Sequence, residues 1–195
     1  MIDLTALSAQ ASAPRLLDFG GFLTPTLGGP MQRVDRLGNR HALDVTLPPM
    51  RADPEGRVWV SRLKRAKTEG AFMRFPQIGL RNGVSGAPVV AADVAAGRTV
   101  PVAGLQPRCE VKEGQWLSVI HAERRYLYSV DAGVLAGADG TAMLAITPML
   151  RTALSAGDVI ELVQPHIEGL ILEDFGWTID KARTIGLSFT ITEAA

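Results

Sequence analysis

A single cysteine, Cys109, and three histidines, His41, His121 and His166, leave this chain poor in the usual metal ligands and nucleophiles. One cysteine excludes an internal disulfide and a cysteine-rich zinc site, and it fits folding in a reducing cytosol. The histidines stand apart, with no His-x-x-x-His or Glu-flanked pair to hold a metal. Charge of one sign is not in excess either: 20 Lys and Arg balance 20 Asp and Glu. That balance argues against a dedicated nucleic-acid binder, whose basic surplus displaces counterions. It also weakens repulsion between copies, which a protein living in an assembly tolerates. Long apolar runs are missing as well. "AGVLAGA" is far too short to span a bilayer. The opening "MIDLTALSAQASAPRLL" has no basic start followed by a long apolar core, so neither a secretion signal nor membrane insertion is expected.

What is present is glycine and proline, 20 and 12 of them in 195 residues, spread as punctuation between short apolar runs. This is the pattern of many short strands joined by turns. "AFMRFP", "APVVAA", "RTVPVAG", "QWLSVIH", "RYLYSVDA", "AMLAITP", "DVIELVQ", "IEGLILE" and "LSFTITE" all read as strands. Gly114, Gly140 and Gly157 each turn the chain into one of them. "QWLSVI" and "AMLAIT" are apolar on both faces, as in strands sealed in a barrel or between layers. One segment reads as a helix, "DPEGRVWVSRLKRAKTEG", with Asp53 as N-cap, Pro54 at the first helical position and Gly70 as the stop. Val58, Trp59, Leu63 and Ala66 fall near one face of it. Arg62, Lys64, Arg65 and Lys67 lie around the remainder, either as a solvated face or as a nucleic-acid contact. The fold class expected is mainly β, a β-sandwich core with one α-helix and an inserted small β-barrel-like region.

The stretch "PMQRVDRLGNRHALDVTLPPM", Pro30 to Met50, packs six titratable side chains into a short run. Gly38-Asn39 carries a hairpin-turn signal, with Gly38 suited to the first central position of a type II′ turn. His41, Leu43, Val45 and Leu47 alternate with Ala42, Asp44 and Thr46, so His41 reads as a packing residue on an apolar face. Pro48-Pro49 ends the strand. The preceding "ASAPRLLDFGGFLTPTLGGP" is apolar enough to need covering. It either lies against its own sheet or crosses onto a neighbouring subunit.

Convergent chemistry is scarce. Nothing near Cys109 would lower its pKa, since Arg108 is balanced by Glu110. Glu173 and Asp174 are adjacent, and neighbours on a strand point to opposite faces. The Gly20-Gly21 and Gly28-Gly29 pairs lack the spacing and the lysine of a phosphate loop. His121 falls at a hairpin tip and His166 in a loop after Pro165. No catalytic, cofactor-binding or metal-binding residue is assigned, and no enzyme is expected. Tyr126 and Tyr128 share a strand face near Trp116, where they either fill a core or stack on a sugar. A cell-wall hydrolase would need an acid/base pair that the sequence does not supply.

Gly28, Gly29, Gln32, Arg33, Asp35, Arg36, Gly38, Arg40, Leu43 and the run Thr46-Leu47-Pro48-Pro49-Met50, followed by Trp59, Leu63 and Ala66, form a pattern. So do "GQWLSV…YLYSV…LAITPMLR…GDVIELVQP" from Gly114 to Pro165 and the closing "LSFTI.EA". Together they resemble small tail proteins of long-tailed bacteriophages and related prophages. The resemblance implies a distal-tail-like protein, a non-enzymatic baseplate ring, usually a homohexamer, joining the tail tube protein to the baseplate hub protein. It implies a ring-forming core from residues 1–84 and 166–195, with the helix near 54–69, and an inserted barrel-like domain from 85–165. It places the protein in the virion at the tail tip, assembled in the host bacterial cytoplasm, with a carbohydrate-binding or other attachment module of the baseplate as the alternative. In a ring Arg33, Asp35, Arg36, Arg40 and Asp44 would pair across subunits, giving register more than affinity.

Overall fold

The computed structural model describes residues 1–80 and 85–194, so the expected boundary at residue 84 lies outside the described residues. The chain begins with β1 (Ile2–Asp3), β2 (Ala11–Leu17), β3 (Gly21–Leu23), β4 (Gln32–Val34), β5 (Arg40–Thr46) and β6 (Met50–Arg51). A short helical turn at Ala52–Gly56 leads into α1 (Arg57–Glu69) and then β7 (Ala71–Arg74). Next come β8 (Gly86–Val90), β9 (Thr99–Leu105), β10 (Glu110–Val111), β11 (Trp116–His121), β12 (Arg124–Val130), β13 (Val134–Leu135), β14 (Ala142–Thr147) and β15 (Val159–Glu161). The chain closes with β16 (His166–Leu170), β17 (Trp177–Ile179) and β18 (Thr184–Glu193). The fold is mainly β with one regular α-helix, as expected.

Two bodies of structure share the chain. An eight-stranded sheet runs β1-β7-β16-β18-β5-β2, with β6 and β17 also paired to β18. A closed barrel runs β11-β12-β14-β9-β8-β15. The barrel is looped out between two strands that pair with each other. β7 and β16 are antiparallel with Arg74 opposite His166, and the Phe75 N–H donates to the Pro165 carbonyl at 2.8 Å just beyond them. Each body has its own apolar core, one around Leu43, Leu63, Ile167 and Ile191, the other around Val119, Tyr128, Leu144 and Ile160. Leu127 from the barrel belongs to the sheet's core. Gly114, Gly140 and Gly157 take φ of 75°, 75° and 93°, the left-handed turn into a strand that the sequence suggested.

The longest strand explains the register. In β18, Ile185, Leu187, Phe189 and Ile191 alternate into the core. β5 lies beside it with Ile191 opposite Leu43 and Phe189 opposite Val45. On the other side Gly169 of β16 meets Glu193 so closely that a Cβ would stand 1.9 Å from the Thr192 carbonyl oxygen. Only glycine fits there.

Three details of the sequence reading change. α1 starts at Arg57, and Asp53 is extended (φ −133°, ψ 134°), so Asp53 does not cap it; its carboxylate instead pairs with Arg57 at 2.7 Å. The buried stripe of α1 is Val60, Leu63 and Ala66, at three-residue intervals, and Val58 faces solvent. Gly70 does stop the helix, with φ 76° and its N–H on the Ala66 carbonyl. The third change is larger. Pro30–Met50 is not a hairpin: β4 pairs with β3, and β5 pairs with β2 and β18. Gly38 is outside the positive-φ glycines, and the reversal is an Arg36–Asn39 turn closed by the Asn39 N–H on the Arg36 carbonyl. The alternation in β5 holds, because it depended on the strand and not on its partner.

Candidate functional site

The N-terminal stretch takes the first of its two expected destinations, its own sheet, as far as Leu17. β2 zips along β5 from Ala11 opposite Thr46 to Leu17 opposite Arg40. Past Leu17 the chain leaves the sheet as a two-stranded ribbon, β3 and β4, with Phe22 opposite Arg33. Every residue from Gly21 to Leu37 is exposed, including Phe22 at 64% and Leu27 at 98%. An isolated two-stranded ribbon is marginal in water, so this arm needs anchors.

Four of the five candidate interface residues supply anchors or pair within the sheet. Arg33 holds Asp18 at 2.8 Å and Asp35 at 2.6 Å, and Asp35 receives Arg98 from the barrel side at 2.7 Å. These contacts hold both carboxyls below the usual Asp range: for Asp18 the Gly20 N–H acts first and then Arg33, and for Asp35 Arg33 is the chief cause. Arg40 stacks on Phe19 with its guanidinium carbon 5.0 Å from the ring centroid. Asp44 receives Arg15 at 3.0 Å and the Thr190 hydroxyl at 2.7 Å. Arg36 is exposed and makes no ion pair among the described residues.

The cations of α1 are similarly engaged. Arg62 lies over Trp59, Lys64 over Trp177, Arg65 is bidentate to Glu69 and Lys67 pairs with Asp174. They are dispersed onto neighbours rather than gathered into a phosphate track.

Two buried polar clusters went unassigned in the sequence, and both sit where barrel meets sheet. The first centres on Glu193. Its Oε2 accepts the His41 backbone N–H at 2.6 Å, and its Oε1 accepts the Leu127 N–H at 2.8 Å and Arg151 Nη2 at 2.6 Å. The His41 ring stands edge-on to Trp116, with centroids 4.9 Å apart, and its Nδ1 is 3.5 Å from the same carboxylate. Burial drives the Glu193 carboxyl upward, but His41 and Arg151 outweigh it and leave the group below its ordinary value. The Arg151 guanidinium lies 5.5 and 5.6 Å from the centroids of Tyr126 and Tyr128. Tyr128 is fully buried and Tyr126 is covered by that cation, so the two rings fill a core rather than present a sugar-stacking face.

The second cluster gathers Ser118, Glu161, His166 and Arg125. His166 begins β16 rather than lying in a loop, because its backbone is needed opposite Arg74. The Ser118 hydroxyl donates to Glu161 Oε2 at 2.6 Å, and His166 Nδ1 lies 3.0 Å from that same oxygen. Ser118 Oγ also accepts the His166 backbone N–H at 3.0 Å. Arg125 reaches Glu161 at 3.2 Å and Glu168 at 3.5 Å while stacking over Phe72. Burial pushes the Glu161 carboxyl up, and the His166 and Ser118 hydrogen bonds overcome it and lower it. Serine, histidine and glutamate meet here, but a hydrolytic triad passes the serine proton to an imidazole nitrogen. Here serine and imidazole both end on the carboxylate, and Ser118 is fully buried. The cluster is wired to hold the barrel on the sheet.

The remaining candidates are isolated. His121 pairs with Asp158 at 2.8 Å at the end of its strand, and Cys109 is a free thiol. Among the described residues no group of three His, Cys, Asp or Glu is placed to hold a metal ion, and no helix is long and apolar enough to cross a membrane.

Glu193 did leave a signal in the sequence. It continues the apolar face Ile185, Leu187, Phe189, Ile191 at the next alternate position, where a carboxylate must be buried and therefore partnered. Arg151, after Pro148-Met149-Leu150, left none. No protein-family model matches the chain, and no curated protein is significantly similar to it.

Proposed function

We propose that the chain is a non-enzymatic structural component of a bacteriophage or prophage tail, copies of which form a ring, as a hexamer, joining the tail tube protein to the baseplate hub protein. The residue pattern from Gly28 to Met50, with its counterparts downstream, supplies the resemblance. The observation that carries the reading is the arm. Phe22, Leu23, Leu27 and Met31 stand in solvent on a ribbon too small to be stable alone. A surface of that kind suits a protein whose work is to touch others. Zero formal charge fits the same role, since copies approach without mutual repulsion. In this reading the protein resides at the tail tip of the virion after assembly in the host cytoplasm.

Mass photometry and sedimentation of the purified full chain over a wide concentration range test the reading, together with immunoblots of purified particles. A closed oligomer and a virion-associated band are expected. A chain that stays monomeric and is missing from particles overturns it.

A further inference from the structure

We infer that the arm of one copy docks head to tail into a groove on the next copy, formed along β17 and β18 at the opposite end of the sheet. This rests on the ring reading and names its contact.

The groove follows from one residue. Gly186 sits inside β18, opposite Thr178 of β17, and the missing side chain leaves a channel floor between Pro49 on one side and Thr178 on the other. Two hollows that share Thr178 and Gly186 in their linings have volumes of about 350 and 400 Å³. A Cβ at Gly186 would meet only Thr178 Oγ1, at 3.5 Å, an ordinary contact. Its φ is not in the left-handed range. Neither close packing nor backbone conformation within this chain therefore requires glycine here. In a strand interior glycine costs stability, and it often marks a bulge, a bend or the close approach of a ligand or another backbone. Beside the floor, Thr178 is exposed on a strand whose outer edge is unpaired among the described residues.

Charge and position commit the occupant. Among the described residues Arg36 is the arm's one cation without an intramolecular acid, and Glu173, which lines an adjoining hollow with Asp44 and Phe175 that shares Thr46, Gly176 and Ser188 with the groove, makes no ion pair. Arm and groove lie at opposite ends of β5. The arm leaves beyond Arg40 and the groove begins at Thr46 and Leu47, about 20 Å away along a strand of this length. Arg33 and Asp35 tie the arm to Asp18 at its root and to Arg98 of the barrel side, at the far end of β5 from its own groove. Two different complementary patches on one chain make a heterologous contact, and a second copy supplies each patch with its match.

The test uses full-length chain in a Cys109→Ser background. Leu27→Cys and Thr178→Cys variants are prepared separately, mixed and treated with a short bismaleimide. Sedimentation is measured in parallel for Gly186→Met, which fills the groove floor, Arg36→Glu, and Arg36→Glu combined with Glu173→Arg. Circular dichroism and melting establish that each variant is folded. Cross-linked dimer only in the mixture, self-association at least about tenfold weaker in Gly186→Met and Arg36→Glu, and recovery in the charge swap are expected. If the wild type assembles but the mixture does not cross-link and Gly186→Met assembles normally, the arm contact is overturned while the ring reading stands. A wild type that stays monomeric at every concentration overturns both and assigns the arm to a different protein.

Discussion

Two clusters of charge, one at the root of the arm and one beneath the barrel, use the same chemistry at nearly the same distances. Arg33 reaches Asp35 at 2.6 Å, and Arg151 reaches Glu193 at 2.6 Å. The first pair has side chains 42% and 29% exposed, the second 3% and 1%. The distances therefore say little about what each pair does. At the arm, water screens the attraction and competes for every hydrogen bond, so the pairs fix direction more than they stabilise the fold. At the junction, desolvation is costly for both ions, and the structure offsets it with two backbone N–H donors and two aromatic faces. Such a site is easily broken by removing one member and only modestly stabilising when whole.

That contrast can be broken hardest at Glu193. Glu193→Ala strands the Arg151 guanidinium and two N–H groups, and a loss of about 3–5 kcal/mol is expected in denaturant unfolding. Replacing Glu193 and Arg151 together with apolar residues should cost distinctly less than Glu193→Ala alone. Acid gives the next effect. Glu193 and Glu161 both have folded values depressed below an ordinary 4.5. Their contribution is full above that ordinary value and is lost as pH falls through the lower folded values, because the unfolded chain then binds more protons. Melting temperature followed from pH 7 down to about pH 3 should therefore fall below about pH 4.5, and Glu193→Gln should flatten the fall. At the arm, Arg33→Ala should leave the melting temperature within about 2 °C of wild type, with the difference shrinking at high salt. Smallest of all, Leu27→Ser should change unfolding free energy by less than about 0.5 kcal/mol, since Leu27 packs against nothing in its own chain.

The same contrast explains what could be read from the sequence. Strand alternation and glycine punctuation are local, and they located the barrel strands and, in the sheet, β5 with its buried face, β7, β16 and β18, but not the short or exposed β1, β2, β6 and β17. Partner choice is not local. "QRVDRLGNRHALDV" has the look of one hairpin, but β18 offers β5 a long apolar edge, and that pairing outweighs the nearer one. The charges of Pro30–Met50 stand out in the sequence, while their partners within the chain, Asp18, Arg98, Arg15 and Phe19, lie in other segments that no spacing rule links to them. The Glu161 and Glu193 clusters were hidden for a related reason. Each joins side chains from three or more strands distant in sequence, so no motif carries them. His166 was misplaced because Pro165 signals a loop, whereas its backbone is fixed by pairing with Arg74.

The looped-out barrel carries a consequence for how such a chain can change over time. Its two ends are zipped together by β7 and β16, so the sheet perceives the whole insertion as a single turn. A gene could exchange the segment between Arg74 and His166 for another of different length without disturbing the register of any sheet strand. The Leu127 amide and the Arg151 guanidinium set one condition, since both end on Glu193, and the Ser118, Glu161 and Arg125 contacts to His166 and Glu168 set another. Any replacement module must bring its own N–H and its own cation to that carboxylate, or arrive together with a change at residue 193.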